Sequence, residues 1–309
     1  MPTFPLIRLG TRRSPLAMVQ AQEARARLCA AHGWDESRVE LVPLVASGDQ
    51  VLDRPLAEIG GKALWTRELD RWLIDGRIDA AVHSMKDVET LRPAAIAIGA
   101  ILPRADKADR LLGAGSIAEI PQGARVGTSA PRRAAQLLNL RPDLTIVGIR
   151  GNVATRMAKL DAGAVDATFL ASAGLDRLGE DAVGVRLDPQ GWLPAPAQAA
   201  IGIECRSGDA RLRDLLAAID HAPSRAEVLA ERRLLEGLGG GCSSPIAALS
   251  VTTGAEIHLR AAIFSADGAV RVADEARFAS DDGEAPLALA ARLIAAAPGE
   301  VRALFDGAA

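Results

Sequence analysis

No stretch of this 309-residue sequence approaches the roughly 18 consecutive apolar residues of a membrane span, so no spanning helix is expected. The first 30 residues carry Arg8, Arg12, Arg13, Arg25 and Arg27 with no uninterrupted apolar core, and an export signal is not expected either. Cysteine is scarce: Cys29, Cys205 and Cys242 lie far apart, which excludes a disulfide framework and any metal-ligand spacing. No Gly-x-Gly-x-x-Gly and no Walker-type Gly-Lys-Ser/Thr occurs, leaving nucleotide binding without support. The net charge is only −3, from 36 basic and 39 acidic residues, so bulk charge points to no nucleic-acid or membrane partner. A soluble, cytoplasmic, monomeric protein of about two or three domains is the expectation.

What is present is organised around Asp79-Ala80-Ala81-Val82-His83-Ser84-Met85-Lys86-Asp87-Val88. Ile78 to Val82 is short, apolar and β-branched at both ends, which predicts a buried strand whose polar tail begins at Ser84. In open α/β sheets ligands bind beyond the carboxyl ends of strands, so Ser84, Lys86 and Asp87 are expected at a cleft.

Upstream, Leu6 to Gly10 reads as a strand. Ser14 then serves as N-cap and Pro15 as first residue of a helix that runs to Gly33. Val39 to Val45 is a strand, Ser47 to Ala63 a loop, Thr66 to Asp75 a helix, Ala95 to Leu102 a strand, and Pro103 to Asp109 a charged, exposed segment. The pattern then restarts. Arg125-Val126-Gly127-Thr128 echoes Arg8-Leu9-Gly10-Thr11, and Gly163-Ala164-Val165-Asp166 echoes Gly76-Arg77-Ile78-Asp79, in the same order. Two similarly built α/β lobes facing one another across a cleft are predicted. The second continues with helix 131–139, strand 144–149, helix 153–162 and strand 166–170, and a Pro- and Gly-rich connector spans 189–196. Strand 201–205 and helices 211–219 and 226–236 follow, and residues 247–309 read as a small α+β domain. Cys29 and Cys205 fall on core-facing positions and read as filler.

Two features carry chemistry. Arginines cluster at loop and helix starts, as Arg12 with Arg13, Arg132 with Arg133, Arg150 and Arg156. A guanidinium holds a carboxylate through two parallel hydrogen bonds, so a cleft lined this way suits a ligand with several carboxylates or phosphates. The second is Gly237-Leu238-Gly239-Gly240-Gly241-Cys242-Ser243-Ser244-Pro245, where glycines strip bulk from the chain beside a lone thiol. Cys242 is a candidate nucleophile or attachment point. It has no evident base, since His83 is distant in sequence and His221 and His258 sit in helical or strand contexts. A cysteine hydrolase is correspondingly weak.

Together these residues resemble the porphobilinogen deaminase (hydroxymethylbilane synthase) family along nearly the whole chain. The matching motifs are 11–17 (Thr-Arg-Arg-Ser-Pro-Leu-Ala), Gly60-Gly61-Lys62, Val82 to Val88, Gly127-Thr128-Ser129 with Arg132-Arg133, Arg150-Gly151-Asn152-Val153 with Arg156, Leu170-Ala171 with Ala173-Gly174-Leu175, and Gly240-Gly241-Cys242. The resemblance implies an α/β fold of two periplasmic-binding-protein-like lobes around a cleft plus a small α+β C-terminal domain. It divides the chain into residues 1–102 with 199–220, residues 103–198, and residues 221–309 carrying the cofactor cysteine. It implies a transferase that joins four porphobilinogen units head to tail, releasing ammonia, on a dipyrromethane primer held by a thioether to Cys242. Asp87 would be the acid that stabilises the developing cation and moves protons. Arg12, Ser14, Ser84, Lys86, Thr128, Ser129, Arg132, Arg133, Arg150, Asn152, Arg156, Ala171 and Gln198 would hold cofactor and substrate, with no metal.

The chain departs from the family pattern in places: Glu89 stands where proline is common, Ala130-Pro131 replaces a Ser-Leu type pair, and Ala197 and Ala199 replace the glycines usually flanking Gln198. Ser243 and Ser244 follow the cysteine where larger residues are frequent. None removes a charged group assigned above. The competing reading is a two-lobed binding protein for an anionic ligand, against which the missing export signal and the Gly-Gly-Cys loop both argue.

Overall fold

A computed structural model describes residues 6–44, 64–241 and 244–305. The expected loop over 47–63, with Gly60-Gly61-Lys62, and the attachment cysteine Cys242 lie outside the described residues. The chain begins with β1 (Ile7–Arg12), α1 (Pro15–His32), β2 (Val39–Leu44), α2 (Leu64–Ile74), β3 (Ala80–Ser84) and β4 (Ile96–Ile101). Next come β5 (Asp109–Leu112), β6 (Arg125–Gly127), α3 (Pro131–Leu140), β7 (Thr145–Val147), α4 (Val153–Asp161), β8 (Ala167–Ala171), α5 (Ser172–Arg177) and β9 (Val185–Arg186). β10 (Ile201–Arg206), α6 (Ala210–Ala217), α7 (Ala222–Gly237), β11 (Ile246–Thr253), β12 (Glu256–Phe264), β13 (Arg271–Ala279), α8 (Ala285–Ala296) and α9 (Gly299–Arg302) complete it. Residues 1–105 with 200–225 make one compact unit, and residues 106–199 with 226–309 make another.

The first unit holds a five-stranded sheet in the order β2-β1-β3-β10-β4, with β1 parallel to β2 and β3, and β10 antiparallel to β3 and β4. The second holds β7-β6-β8-β5-β9 with the same pattern of directions. The two sequence echoes produce this likeness through one device used twice. The Arg8 backbone N–H donates to Asp79 Oδ2 at 2.8 Å, and its Nη2 donates to Asp79 Oδ1 at 2.9 Å and to the Gly76 carbonyl at 2.7 Å. Arg125 repeats it on Asp166, at 2.7 and 2.9 Å, and on the Gly163 carbonyl, at 2.9 Å. Gly76 and Gly163 lie at φ +71° and +67°, a left-handed turn that only glycine enters without penalty. Each arginine thus ties its strand to the turn that starts the parallel neighbour.

Helix α1 forms where predicted. Ser14 Oγ accepts the Ala17 N–H, Pro15 opens the first turn, and Gly33 closes the helix in the left-handed region. Its face of Ala21, Ala24, Leu28 and Cys29 packs on Ile7, Leu9 and Val39, and full burial of a side chain such as Leu28 contributes about 2 kcal/mol. Cys205 is wholly buried in the same core, and burial pushes both the Cys29 and Cys205 thiols up.

Of the boundaries that differ from the sequence reading, two bear on the site. The organising strand runs to Ser84, because antiparallel pairing with Ile201–Cys205 carries the ladder past Val82. Pro103 to Asp109 is not an exposed segment: Ala108 and Asp109 are fully buried and Asp109 starts a central strand, its charge having masked a strand that buried arginines neutralise.

In the second unit β11, β12 and β13 form an antiparallel meander. Leu234 of α7 and Leu289 and Leu293 of α8 pack on Ile257, Leu259 and Ile263 to make its core. Ala197 and Ala199 adopt φ +58° and +69°, so the chain keeps the left-handed backbone without the glycines that fit it. The buried Glu231 carboxylate helps hold this segment by accepting the Ala197 N–H at 2.5 Å. Ala197→Gly and Ala199→Gly are each expected to stabilise the protein by about 0.5–1 kcal/mol, read as a higher urea midpoint. A lower midpoint in both would show that the left-handed backbone carries no strain.

Candidate functional site

In the first unit the carboxyl ends of the parallel strands β1 and β3 bring Arg12, Ser14, Ser84 and Asp87 around one cavity of about 90 Å³, with Gln20, Thr66 and His83 completing its polar lining. Ser84 is oriented by Gln20 of α1, whose Nε2 donates to Ser84 Oγ at 2.8 Å while the hydroxyl donates to Gln20 Oε1 at 3.1 Å. The chain then turns through Met85–Asp87 in a single 3-10 turn. Met85 is buried beneath Gly202, where an added Cβ would run into the Met85 side chain and force it to shift, so glycine lets the turn seat closely on β10. Asp87 is left exposed at the cavity, and Lys86 is half-buried in the same turn without lining it. A larger hollow of about 540 Å³ by Arg25, Glu36 and Glu40 is open and shallow. There Arg25 pairs with Glu36 at 2.8 Å.

Beneath the cavity lies a buried ion cluster. Arg92 Nε and Nη2 donate to the two oxygens of Glu204 at 2.9 and 2.8 Å, Nη2 also reaches Asp70 at 2.5 Å, and Nη1 reaches Glu89 at 2.8 Å. Thr66 Oγ1 donates to the same Glu89 oxygen at 2.6 Å. His83 Nε2 stands 3.3 Å from Glu204, an ion-pair distance at an angle too poor for a hydrogen bond. Burial alone would raise the Glu204 carboxyl, but His83 and Arg92 bring it down to about 2. For Asp70 burial wins and the carboxyl is pushed up, because Arg92 divides its charge among three acids. Arg92 itself is raised despite its desolvation, held charged by Glu204 and Asp70.

The second unit gathers its candidates in two groups. Thr128 and Ser129 leave β6, and Ser129 Oγ donates to the Ile149 carbonyl at 2.7 Å, next to the half-buried Arg150. Asn152 caps α4, its Oδ1 accepting the Thr155 N–H at 2.9 Å, and Arg156 Nε donates to the Gly151 carbonyl at 3.0 Å. The other group surrounds Asp109. Arg132 Nη2 and Arg133 Nη2 each donate to it at 2.7 Å, Trp192 Nε1 at 2.9 Å and Gln198 Nε2 at 2.9 Å. Burial would raise Asp109, yet Arg132 and Arg133 hold it well below the usual carboxylate range. Arg132 and Arg133 are only 4% and 5% exposed, so they stand behind the surface rather than on it as the helix-start position suggested. Arg132 Nε is buried with no hydrogen-bond partner among the described residues. Ala171 ends β8 and is half-buried.

Sequence reasoning passed over Gln20, Thr66, Asp109 and the Arg92 cluster. Two of these left a signal: Gln20 sits three residues after Ala17 and four before Ala24 on the apolar face of α1, and Glu204 interrupts the apolar run Ile201-Gly202-Ile203. A polar residue on a buried face has a partner to find.

Comparison with known proteins covers most of the chain. Residues 7–214 match the family model "Porphobilinogen deaminase, dipyromethane cofactor binding domain", and residues 225–295 match "Porphobilinogen deaminase, C-terminal domain". A protein named porphobilinogen deaminase from Sphingopyxis alaskensis is 56% identical over 98% of this chain and 98% of its own. Another of that name from Paracoccus denitrificans is 49% identical over 90% of each. Among solved structures, a periplasmic sulfonate-binding protein from Methylobacillus flagellatus aligns at a TM-score of 0.41 and 15% identity, covering 73% of this chain and 66% of that one.

Proposed function

This chain belongs to the porphobilinogen deaminase family, and from that premise we propose how its side chains carry the reaction. The protein is a transferase of tetrapyrrole biosynthesis that polymerises four porphobilinogen units head to tail into hydroxymethylbilane with release of ammonia, from a dipyrromethane cofactor. Among the described residues no helix is long and apolar enough to cross a membrane. A cytoplasmic monomer is the proposed state. The proposed division is residues 1–102 with 199–220, residues 103–198, and a small domain, 221–309, presenting Cys242.

One observation carries the assignment of roles: an exposed carboxylate, Asp87, shares a small strand-end cavity with Arg12, Ser14 and Ser84. Loss of ammonia leaves positive charge on the pyrrole ring and methylene carbon of the substrate that stays bound, and a carboxylate beside it lowers the barrier electrostatically and takes or returns protons. Asp87 fills that role. Arg12 and the hydroxyls of Ser14 and Ser84 orient substrate carboxylates, with Gln20 fixing the Ser84 rotor.

Cys242 is the attachment point, and the second unit's donors suit the polyanion it would carry. Two guanidinium groups on the single Asp109 leave one positive charge in excess, and Arg132 Nε lacks a partner among the described residues, as fits a site awaiting carboxylates. The dipyrromethane, when bound, supplies the pyrrole carbon to which the first substrate is joined. Ser129, Arg150, Asn152 and Arg156 would hold its acetate and propionate groups, with Thr128 and Ala171 beside them in the same unit; in the first unit Lys86 is proposed as a further partner for carboxylates. Gln198 acts from behind, through Asp109.

Each added pyrrole brings two further carboxylates, so removal of one arginine stalls the chain at the length that needs it. Arg150→Leu is expected to accumulate enzyme-bound chains of one partial length, seen as a dominant adduct mass after substrate addition. A normal ladder and normal product release would return Arg150 to a surface charge.

A further inference from the structure

The stretch after Asp87 is held with more force than a surface loop needs. Glu89, two residues on, gives one carboxylate oxygen to both Arg92 Nη1 and Thr66 Oγ1, at 2.8 and 2.6 Å. Arg92 is itself locked, its fork on Glu204 of β10 and its Nη2 on Asp70 of α2. Val88, between Asp87 and Glu89, is buried and donates its N–H to the Met85 carbonyl. On the other side of the turn, Ser84 is fastened to Gln20. The turn bearing Asp87 is therefore clamped at both ends to different elements of the same unit.

Stability alone does not account for the clamp. It gathers three carboxylates on one guanidinium whose side chain is only 9% exposed. Buried ion clusters of this kind contribute little net stability compared with well-packed apolar residues, and what they secure best is one fixed geometry.

We propose that Glu89 and Arg92 are positioning residues for Asp87, anchoring the far end of the Met85–Asp87 turn to α2 and β10 so that the acid is presented to the cavity in a single orientation. The inference rests on the role given above to Asp87. A carboxylate that must sit beside a cation formed only transiently loses effect quickly when displaced, and misplacement by about 1 Å from a distant change can cost up to about 100-fold.

Glu89 is the side chain to alter, since it is partly exposed, whereas removal of Arg92 strands the buried Glu204 and Asp70 as well. In the full-length, cofactor-bearing enzyme, Glu89→Ala is expected to lower kcat about 10-fold with KM for porphobilinogen within about twofold, the pattern of lost transition-state geometry. Glu89→Gln keeps an oxygen for Thr66 and Arg92 and is expected to recover kcat to within about threefold of the parent. The adduct mass stays unchanged in both. Parental kcat in Glu89→Ala, or a loss that Glu89→Gln leaves unrepaired, overturns the proposal. If the parent shows adduct and turnover and Asp87→Ala does not turn over, such a result sinks the positioning role alone; an active Asp87→Ala sinks the reading beneath it.

Discussion

Asp87→Ala is expected to leave a folded protein that still carries its two-pyrrole adduct while turnover falls by about 1,000-fold or more. Among the described residues, the carboxylate is the one acidic side chain lining the cavity at the end of β3. Its neighbours Arg12, Ser14 and Ser84 bind anions or donate hydrogen bonds, and none of them can stabilise positive charge on the substrate. Asp87 is exposed, so its truncation costs within about 0.5 kcal/mol of stability, and lost turnover reads directly as lost chemistry. Steady-state rates beside intact mass separate the cases. Turnover near the parent's with the adduct in place would remove Asp87 from the mechanism.

Cys242→Ser is expected to abolish both the adduct and the activity. Thioether formation needs a thiolate-forming sulfur, and a serine hydroxyl is far too weakly acidic to replace it. Neither remaining cysteine can take over: Cys205 is fully buried, Cys29 is 8% exposed, and burial pushes both thiols away from the reactive thiolate. The purified parent should therefore exceed its sequence mass by two linked pyrrole rings, and the variant should match its sequence mass. A parent of unmodified mass after expression with ample precursor, or an adduct retained by Cys242→Ser, would contradict covalent attachment at this position.

The two lobes were legible because their signal is local and repeated. A strand, a polar loop and a helix opened near proline occur twice, and the paired Arg8–Asp79 and Arg125–Asp166 contacts show that the short echoes encode the same strand-to-turn clasp. The acid's place at a strand end followed from one apolar run giving way to polar residues. What resisted reading was partnership. Asp109 looked like part of a solvated charged segment because its neighbours in sequence are polar, whereas Arg132, Arg133, Trp192 and Gln198, which neutralise and bury it, come from distant parts of the chain. Nor could the sequence show that Ala197 and Ala199 both adopt the left-handed backbone, with the Ala197 N–H held by Glu231.

By itself the sequence determined the α/β class and the duplicated lobe pattern, and it singled out Asp87, Cys242 and the arginines as candidates, because periodicity, caps and motifs depend on residues a few positions apart. Only the tertiary structure decided which charges line a cavity and which are buried on partners: Arg12 lines a cavity, while Arg132 and Arg133 are buried on Asp109, and Arg92 is paired with Glu204, Asp70 and Glu89. A charge's role depends on what surrounds it within a few ångströms, and those neighbours are brought in by chain crossings that local patterns do not show, the widest of these pairs being Arg92 with Glu204, 112 residues apart.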